Sequence, residues 1–415
     1  MENIKEKADY CLSCKVKPCK KGCPLENDIT EFIKYVKENN YEEAYKIATQ
    51  TSVLQSVCGR ICPHMSQCEG SCIRGIKSTP VSIGDIEAFI GDKAIEQNYK
   101  MSETAKINTN KKVAIIGSGP AGLTCAAFLA RSGVQVTIFE KYNKLGGILR
   151  HGIPEFRLPK DILDKNINKI LDLGIQVEYN KEIGKNIKLE DLTQKFDAIF
   201  IAIGANISWK MGIPGEELEG VYGGNELLEK ANHPDYTGKT VIVSGGGNVA
   251  MDCARTIKKL GAKSVKVVYR RAKEQMPAEK KEIEDAKNEN IDFLFQNNIL
   301  KILGNDQVKG IECIKTELIQ KEGDTRLSPV NIEGSNYKIN ADYVVMAIGS
   351  TVEKEIIDTL NLNVNKKGYI EVNENYETSK ENVFAGGDLV GTKATVAWAA
   401  KSGREAAKKI LEKLS

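Results

Sequence analysis

The sequence predicts an α/β protein in which two parallel-sheet units follow a helical, cysteine-rich segment. Three observations carry that expectation. A strand, glycine turn, helix and strand run in order at 111–141, "KKVAIIGSGPAGLTCAAFLARSGVQVTIFEK", and again at 238–271, "GKTVIVSGGGNVAMDCARTIKKLGAKSVKVVYRR". Each copy is followed by a strand ending in Ala-Ile-Gly, "FDAIFIAIGA" at 196–205 and "ADYVVMAIGS" at 341–350. Ahead of both, eight of the eleven cysteines fall within the first 72 residues. β-branched strands alternating with helices indicate a parallel sheet, whose neighbouring strands need a crossover long enough to hold a helix.

The chain of 415 residues has room for two or three domains and a large core. Lys and Arg outnumber Asp and Glu by 59 to 56, so no strong overall field favours nucleic acid or an anionic membrane. The opening "MENIKEKADY" has no apolar stretch, and no run approaches the roughly 18 apolar residues of a bilayer span, so a cytoplasmic protein is expected. In a reducing compartment a dense cysteine cluster indicates a metal or redox site rather than a disulfide framework.

The first cysteine run is Cys11-x2-Cys14-x4-Cys19-x3-Cys23-Pro, and a second set, Cys58, Cys62, Cys68 and Cys72, lies in "CGRICPHMSQCEGSC". The first spacing is close to the ferredoxin run whose last cysteine ligates the other of two clusters. Soft thiolates suit iron–sulfur or zinc, and with three histidines in the chain a zinc site would have to be all-cysteine. Between the two sets "DITEFIKYVKENNYEEAYKIA" places apolar residues three and four apart, a helical pattern. Lys15, Lys17, Lys20 and Lys21 within the first run read as a solvated face or as a dock for an acidic partner. The polar stretch "MSETAKINTNKK" then reads as a linker.

In the first repeat Gly117, Gly119 and Gly122 have GxGxxG spacing, directly after a strand and at the head of a helix. The first glycine permits the tight turn, the second lets a pyrophosphate approach the backbone, and the third lets helix and strand pack closely. Glu140, 23 residues after Gly117, ends the next strand, where an acid can hold ribose hydroxyls. The second repeat has Gly245, Gly247 and Ala250, and closes on Arg270 and Arg271 where the first has Glu140. Guanidinium groups there clamp a 2′-phosphate that an acid would repel, which favours NADPH over NADH; the plainer alternative is two solvated arginines. Further on, "NVFAGGDLVGTKATVAWAAKSGREAA" sets Gly387 and Asp388 between a short strand and a Thr-initiated helix. An Asp there can hold a polyol hydroxyl, and the helix start at Thr395 and Val396 can stabilise negative charge on a reduced ring, as a flavin requires. Cys125, Cys253 and Cys313 stand singly and read as packed core, which argues against a redox disulfide beside that flavin. The stretch "QKEGDTRLSPVNIEGSN" at 320–336 reads as a turn or hairpin tip.

Taken in order, "GSGPAG", "EKYNKLGGILRHGIPEFRLP", "GGGNVAMD", "VYRRAKEQMPAE" and "FAGGDLVGTKATV" resemble the glutamate synthase small (beta) subunit family, over almost the whole chain. Its relatives include the dihydropyrimidine dehydrogenase small subunit and the flavin subunit of NADH-dependent ferredoxin:NADP oxidoreductase. The resemblance implies a glutathione-reductase-like pair of Rossmann-like domains preceded by an α-helical iron–sulfur domain. The implied boundaries are 1–106 for the helical domain, 107–208 plus 352–415 for a discontinuous FAD-binding domain, and 209–351 for an NAD(P)H-binding domain. FAD contacts would fall on the first glycine turn with Ser118, on Glu140, Lys141, Gly147 and Arg157, and on Gly387, Asp388, Thr395 and Val396. Pyridine nucleotide contacts would fall on Gly245, Gly246, Gly247, Asn248 and Val249, on Arg270 and Arg271, and on Ala347, Ile348 and Gly349.

The resemblance also assigns Cys11, Cys14, Cys19 and Cys72 to one 4Fe-4S cluster and Cys23, Cys62, Cys68 and Glu87 to another; on spacing alone Cys58 is the alternative to Glu87. It implies electron flow from NADPH to FAD to the clusters, with no catalytic acid or base, and the reverse direction uses the same wiring. A glutaminase and an FMN-bearing synthase domain have no room in this chain, so a large partner subunit is implied. The contrasting readings are a zinc-stabilised interaction subunit with an inactive nucleotide fold and a self-contained NAD(P)H oxidase.

Overall fold

The structure, a computed structural model, describes residues 4–104, 110–230, 232–320 and 327–415. The expected boundary at residue 106 and the tip of the 320–336 stretch lie outside these residues. Two compact units are present. One holds residues 1–150, 155–205 and 352–415, the other 151–154 and 206–351.

The first unit is built on a five-stranded sheet in the order Val383–Ala385, Ala198–Ile201, Lys112–Ile116, Gln135–Glu140, Gln176–Tyr179, parallel throughout. Lys112–Ile116 and Ala198–Ile201 are buried almost end to end, as strands covered on both faces must be. The edge strand Val383–Ala385 comes from the C-terminal part of the chain, so this sheet is assembled from discontinuous segments. The helices Pro120–Arg131 and Val396–Leu414 pack closely: a β-carbon on Gly403 would collide with the Ala121 carbonyl.

The residues before the first strand are helical. "DITEFIKYVKENNYEEAYKIA" forms two helices, Ile29–Lys37 and Tyr41–Thr49, rather than one. Asn39 takes a left-handed φ of 57° between them, and the Asn40 side chain caps the second helix by accepting from the Glu43 amide at 3.2 Å. Phe32, Ile33 and Val36 from the first helix pack with Ile86 and Ile90 of the helix Ile83–Glu96 in a dry core.

Two buried arginines fasten this helical segment to the sheet helices of the same unit. Arg404, in the C-terminal helix, donates to the Leu25 carbonyl at 2.7 Å and the Thr51 carbonyl at 3.1 Å, and pairs with Glu405 at 2.7 Å. Arg131 ends the helix after the first glycine turn and donates to the Thr49 carbonyl at 2.9 Å and the Ser102 carbonyl at 2.6 Å. Asn166 adds a third tie, to the Val53 carbonyl at 2.9 Å.

The second unit repeats the parallel sheet in the order Val221–Gly223, Tyr343–Met346, Thr240–Ser244, Ser264–Tyr269, Asp292–Phe295. It adds an antiparallel sheet made of Asn297–Gly304, Val308–Ile319, Ser328–Asn331 and Tyr337–Asn340. Where the chain enters and leaves this unit, Ile207–Ser208 and Ser350–Thr351 pair antiparallel.

Arg404→Met keeps the side chain's length and removes its donors, leaving the Leu25 and Thr51 carbonyls without them. It should destabilise the helical segment by about 2–3 kcal/mol. Hydrogen exchange over residues 23–52 should accelerate accordingly; unchanged protection there would show that the arginine does not hold the segment.

Candidate functional site

In the first unit the three glycines of the turn do different work. Gly117 has a φ of +96°, and a β-carbon on it would stand 2.6 Å from the Ala202 carbonyl oxygen. One on Gly122 would collide with the Gly117 carbonyl, whereas one on Gly119 would meet nothing within 4 Å. Gly119 is the N-cap of the helix Pro120–Arg131 and offers no side-chain cap, so no capping side chain takes up the amides of its first turn. This is a cradle for a phosphate.

Glu140 is buried at the end of the neighbouring strand and accepts hydrogen bonds from both the amide (3.1 Å) and the hydroxyl of Ser118, while its other oxygen accepts from the Tyr142 amide at 3.0 Å. Burial raises its pKa, and the Ser118 hydrogen bonds act against that rise. The Ser118 hydroxyl also accepts from the Gly146 amide at 3.0 Å, and the Gly147 backbone lies against Gly119. Gly387 sits against Ala121 in the first turn of the helix and donates to the Ser402 hydroxyl at 2.7 Å. Asp388 accepts from the Thr392 hydroxyl at 2.9 Å, and burial raises its pKa. Thr395 caps the helix Val396–Leu414 by accepting from the Trp398 amide at 3.4 Å. Ser118, Glu140, Gly147 and Gly387 are thus gathered around one helix N-terminus. Lys141 stands over the Tyr142 ring, and Arg157 lies half-buried in the turn before the helix Lys160–Leu171.

The second unit reproduces the turn. A β-carbon on Gly245 would collide with the Ala347 carbonyl, one on Gly247 would meet nothing within 4 Å, and Ala250 is fully buried in the third position. Gly247 caps the helix Asn248–Lys259 without a side chain. Gly246 lies flat against the Tyr269 ring, and its carbonyl accepts from the Ala278 amide at 3.1 Å. The Asn248 side chain accepts from the Glu279 amide at 3.0 Å, so the segment after the two arginines folds back onto the glycine turn. Val249 is half-buried in the first turn of that helix. Arg270 is exposed, with its carbonyl held by the Thr316 hydroxyl at 2.8 Å. The Arg271 Nε is buried without a hydrogen-bond partner among the described residues, a donor that an anionic oxygen would satisfy. Beyond Ala347 and the exposed Ile348, Gly349 lets the Trp209 ring rest on the backbone and accepts from the Trp209 amide at 3.0 Å.

The cysteines separate into two sets. Cys11, Cys14, Cys19 and Cys72 line one pocket, walled by Ile29, Ile33, Val81 and Ile83. Burial pushes the Cys19 thiol up to about 11. Cys23, Cys58, Cys62, Cys68 and Glu87 form the other set, close enough for their charges to act on the ionisation of Cys23, Cys62 and Cys68. Burial and then the Glu87 charge push Cys23 up to about 12. Cys62 is raised by its hydrogen bond to Cys58 and by burial, Cys68 by burial and the Cys23 charge. Glu87 is 8% exposed, is pushed up to about 8 by burial, and has the Asn27 amide as donor at 3.4 Å. Among the described residues no three His, Cys, Asp or Glu side chains converge on a single ion.

Residues 111–405 match the family described as pyridine nucleotide-disulphide oxidoreductase, and residues 1–99 match dihydropyrimidine dehydrogenase domain II, 4Fe-4S cluster. The glutamate synthase [NADPH] small chain of Escherichia coli is 36% identical, over 98% of this chain and 90% of that one. The chain belongs to the glutamate synthase small-chain family of pyridine nucleotide-disulphide oxidoreductases. The NADP(+)-dependent formate dehydrogenase subunit beta of Moorella thermoacetica is 37% identical over 94% of this chain and 59% of its own length. Among solved structures, Mycobacterium tuberculosis FprA in complex with NADPH shares the fold, with a TM-score of 0.65 at 20% identity over 74% of this chain and 85% of that one.

As a member of this family the chain is an FAD-dependent NAD(P)H oxidoreductase that carries 4Fe-4S clusters. Cys125, Cys253 and Cys313 are buried and raised in pKa by that burial, as expected of core thiols. Asn27, Tyr269, Trp209 and the Ala278–Glu279 backbone are parts of these sites that the sequence reading missed. The motif "VYRRAKEQMPAE" was the one available signal for the last of them.

The two roles of glycine are separable by mutation. Gly119→Ala should leave the stability of the apoprotein within about 0.5 kcal/mol, since its new methyl meets open space, yet strip FAD from the purified protein. Gly122→Ala should cost the apoprotein about 1–3 kcal/mol through overpacking. Denaturant titration of apoprotein and flavin absorbance after desalting check the pair; full FAD retention by Gly119→Ala would remove the phosphate from that turn.

Proposed function

We propose that this chain is the electron-input subunit of a larger oxidoreductase, with NADPH bound at the second glycine turn, FAD at the first, and two 4Fe-4S clusters in the helical segment. The proposed domains are 1–106 for the clusters, 107–208 with 352–415 for FAD, and 209–351 for NADPH. What carries the reading is that one chain combines two open glycine turns, one ending in a buried acid and the other in an arginine pair, with two separate cysteine sets. Bound flavin and clusters supply the conversion of a hydride into single electrons and their conduction.

The chain's own residues bind and orient. The amides at Gly119 and Gly247 face pyrophosphates, and Glu140 and Asp388 accept from ribose and ribityl hydroxyls. Arg270 and Arg271 clamp the 2′-phosphate, and the helix start at Thr395 and Val396 lends positive potential to a reduced ring. Hydride transfer needs position and field rather than a proton donor, so no side chain is assigned as a catalytic acid or base.

Cys11, Cys14, Cys19 and Cys72 are the ligands proposed for the first cluster, and Cys23, Cys62, Cys68 and Glu87 for the second. Support for Glu87 comes from its burial among those thiols with one amide as its hydrogen-bond donor. A large partner subunit completes the reaction, in keeping with relatives whose names describe them as the small chain of glutamate synthase and a subunit of formate dehydrogenase. A cytoplasmic setting fits this chemistry, and no helix among the described residues is long and apolar enough to cross a membrane.

Replacing Arg270 and Arg271 together by Ala should raise the KM for NADPH by roughly ten- to a hundredfold, the loss of one or two charge-assisted hydrogen bonds. The KM for NADH should stay nearly fixed, and equal changes for both nucleotides would remove the phosphate clamp. For the second cluster, Glu87→Ala should lower the anaerobic iron content from about eight to about four per chain, while Cys58→Ala leaves about eight. The opposite pattern would assign the ligand to Cys58.

A further inference from the structure

Between Arg270 and the helix Lys280–Asn288 the chain forms a strap, residues 271–279, with one short turn at Lys273–Gln275 and no strand. Both its ends are tied down. At the start the Thr316 hydroxyl holds the Arg270 carbonyl at 2.8 Å, and the Gln296 amide holds the Arg271 carbonyl at 3.0 Å. Further along, the Tyr269 hydroxyl donates to the Gln275 carbonyl at 2.7 Å. The Ala278 amide then donates to the Gly246 carbonyl at 3.1 Å, and the Glu279 amide to the Asn248 side chain at 3.0 Å. The strap thus leaves the arginine pair and returns to the glycine turn.

What keeps it there is a set of buried charges. Arg255 is 7% exposed and lies two turns into the helix Asn248–Lys259, which starts at that glycine turn. It pairs with Glu282, with Asp285 at 3.2 Å and with Glu289 at 3.0 Å, and Lys259 shares Glu289 at 2.7 Å. Glu282, itself 8% exposed, and Asp285 belong to the helix into which the strap runs, and Glu289 follows its last turn. Removing one member of a buried ion pair is costly because the other charge stays buried, so the cluster fixes the second helix on the first. Arg255 stands eight residues after Gly247, on the order of 12 Å along the helix, too far to touch a phosphate at the turn.

We infer that Arg255 is a positioning residue for nucleotide choice: by clamping the helix Lys280–Asn288 it sets the strap on the glycine turn, and so sets Arg271 where a 2′-phosphate would lie. The inference deepens the function proposed above and rests on it. The buried Arg271 Nε, without a partner among the described residues, is the group whose aim depends on this clamp. A guanidinium reads an anionic oxygen through directed hydrogen bonds, so a shift of the strap weakens that contact while the glycine turn itself is unaltered.

The test uses holoprotein, with KM values for NADPH and NADH taken against ferricyanide and calorimetric titration of adenosine 2′,5′-bisphosphate as the probe of the phosphate site. Arg255→Met should raise the NADPH KM and weaken the bisphosphate by roughly five- to tenfold, the partial loss of a charge-assisted hydrogen bond. The NADH KM, the flavin content and the rate of flavin reduction at saturating NADPH should stay nearly fixed. Glu282→Gln should act in the same direction and less. Added to Arg270→Ala with Arg271→Ala, Arg255→Met should change NADPH binding no further, because it works through those arginines. The inference fails if Arg255→Met binds NADPH as wild type does or raises both KM values alike. It fails too if the substitution adds its full effect to the double variant, since Arg255 then only holds the unit together. Should Arg255→Met not fold, Glu282→Gln decides by the same comparisons. If replacing Arg270 and Arg271 leaves NADPH binding unchanged, the phosphate clamp itself falls rather than its support.

Discussion

The first unit depends on positive charge buried against backbone. The segment with the cysteines has short helices and long irregular loops, and its carbonyls at Leu25, Thr49 and Thr51 point into protein rather than water. Arg404 and Arg131 satisfy them. Each guanidinium loses hydration by being buried, and recovers it only because several acceptors converge on its planar fork. Hydrogen bonds to a charged group are worth about 1.5–3 kcal/mol each. The pairing is also directional, and so fixes where the loop after Cys23 stands relative to the helix that begins at Thr395. A hydrophobic contact of equal strength would leave that loop free to slide.

The two glycine turns share one backbone geometry and differ in the side chains placed beside it. In both, the first glycine lies against a carbonyl, of Ala202 or Ala347, and the second faces open space. The difference lies at the end of the next strand. Glu140 is held by the Ser118 amide and hydroxyl, which keep an acceptor in place for hydroxyl groups and repel an added phosphate. Arg271 presents a buried donor with no acceptor among the described residues. On the function proposed above, backbone shape would select for a dinucleotide and the strand-end side chains would decide which one.

The parts of this arrangement that were legible in the sequence are those encoded within about thirty residues. The glycine spacing, Glu140 and Arg270 with Arg271 each sit in one strand–turn–helix–strand unit, and the first cysteine run is local too. What escaped reading joins distant positions. Arg404 bonds a carbonyl 379 residues away, Arg131 one 82 away, and Asn27 meets Glu87 across 60 residues. An arginine in a helix looks the same in sequence whether it faces water or a buried carbonyl. The antiparallel sheet between Asn297 and Asn340 was missed because its strands alternate apolar and charged residues weakly, and one long strand, Val308–Ile319, pairs with three others. The helical pattern at 28–48 was recognised, but the break at Asn39 depends on a left-handed turn that periodicity does not show.

The helix Val396–Leu414 shows what the long-range ties accomplish together. Its N-terminus, capped by Thr395, belongs to the proposed flavin site, and its ninth residue, Arg404, grips the chain at Leu25, two residues beyond Cys23. At 1.5 Å of rise per residue those nine steps span on the order of 14 Å. A helix cannot be stretched without breaking its hydrogen bonds, and Gly403 locks this one onto the helix that leaves the first glycine turn. The separation between the helix start at Thr395 and the second cysteine set is therefore a property of one rigid rod and its neighbour, not of the loops that carry the cysteines. Those loops can then be shaped by their thiols and their surface, because the spacing between the two ends of that rod is set elsewhere.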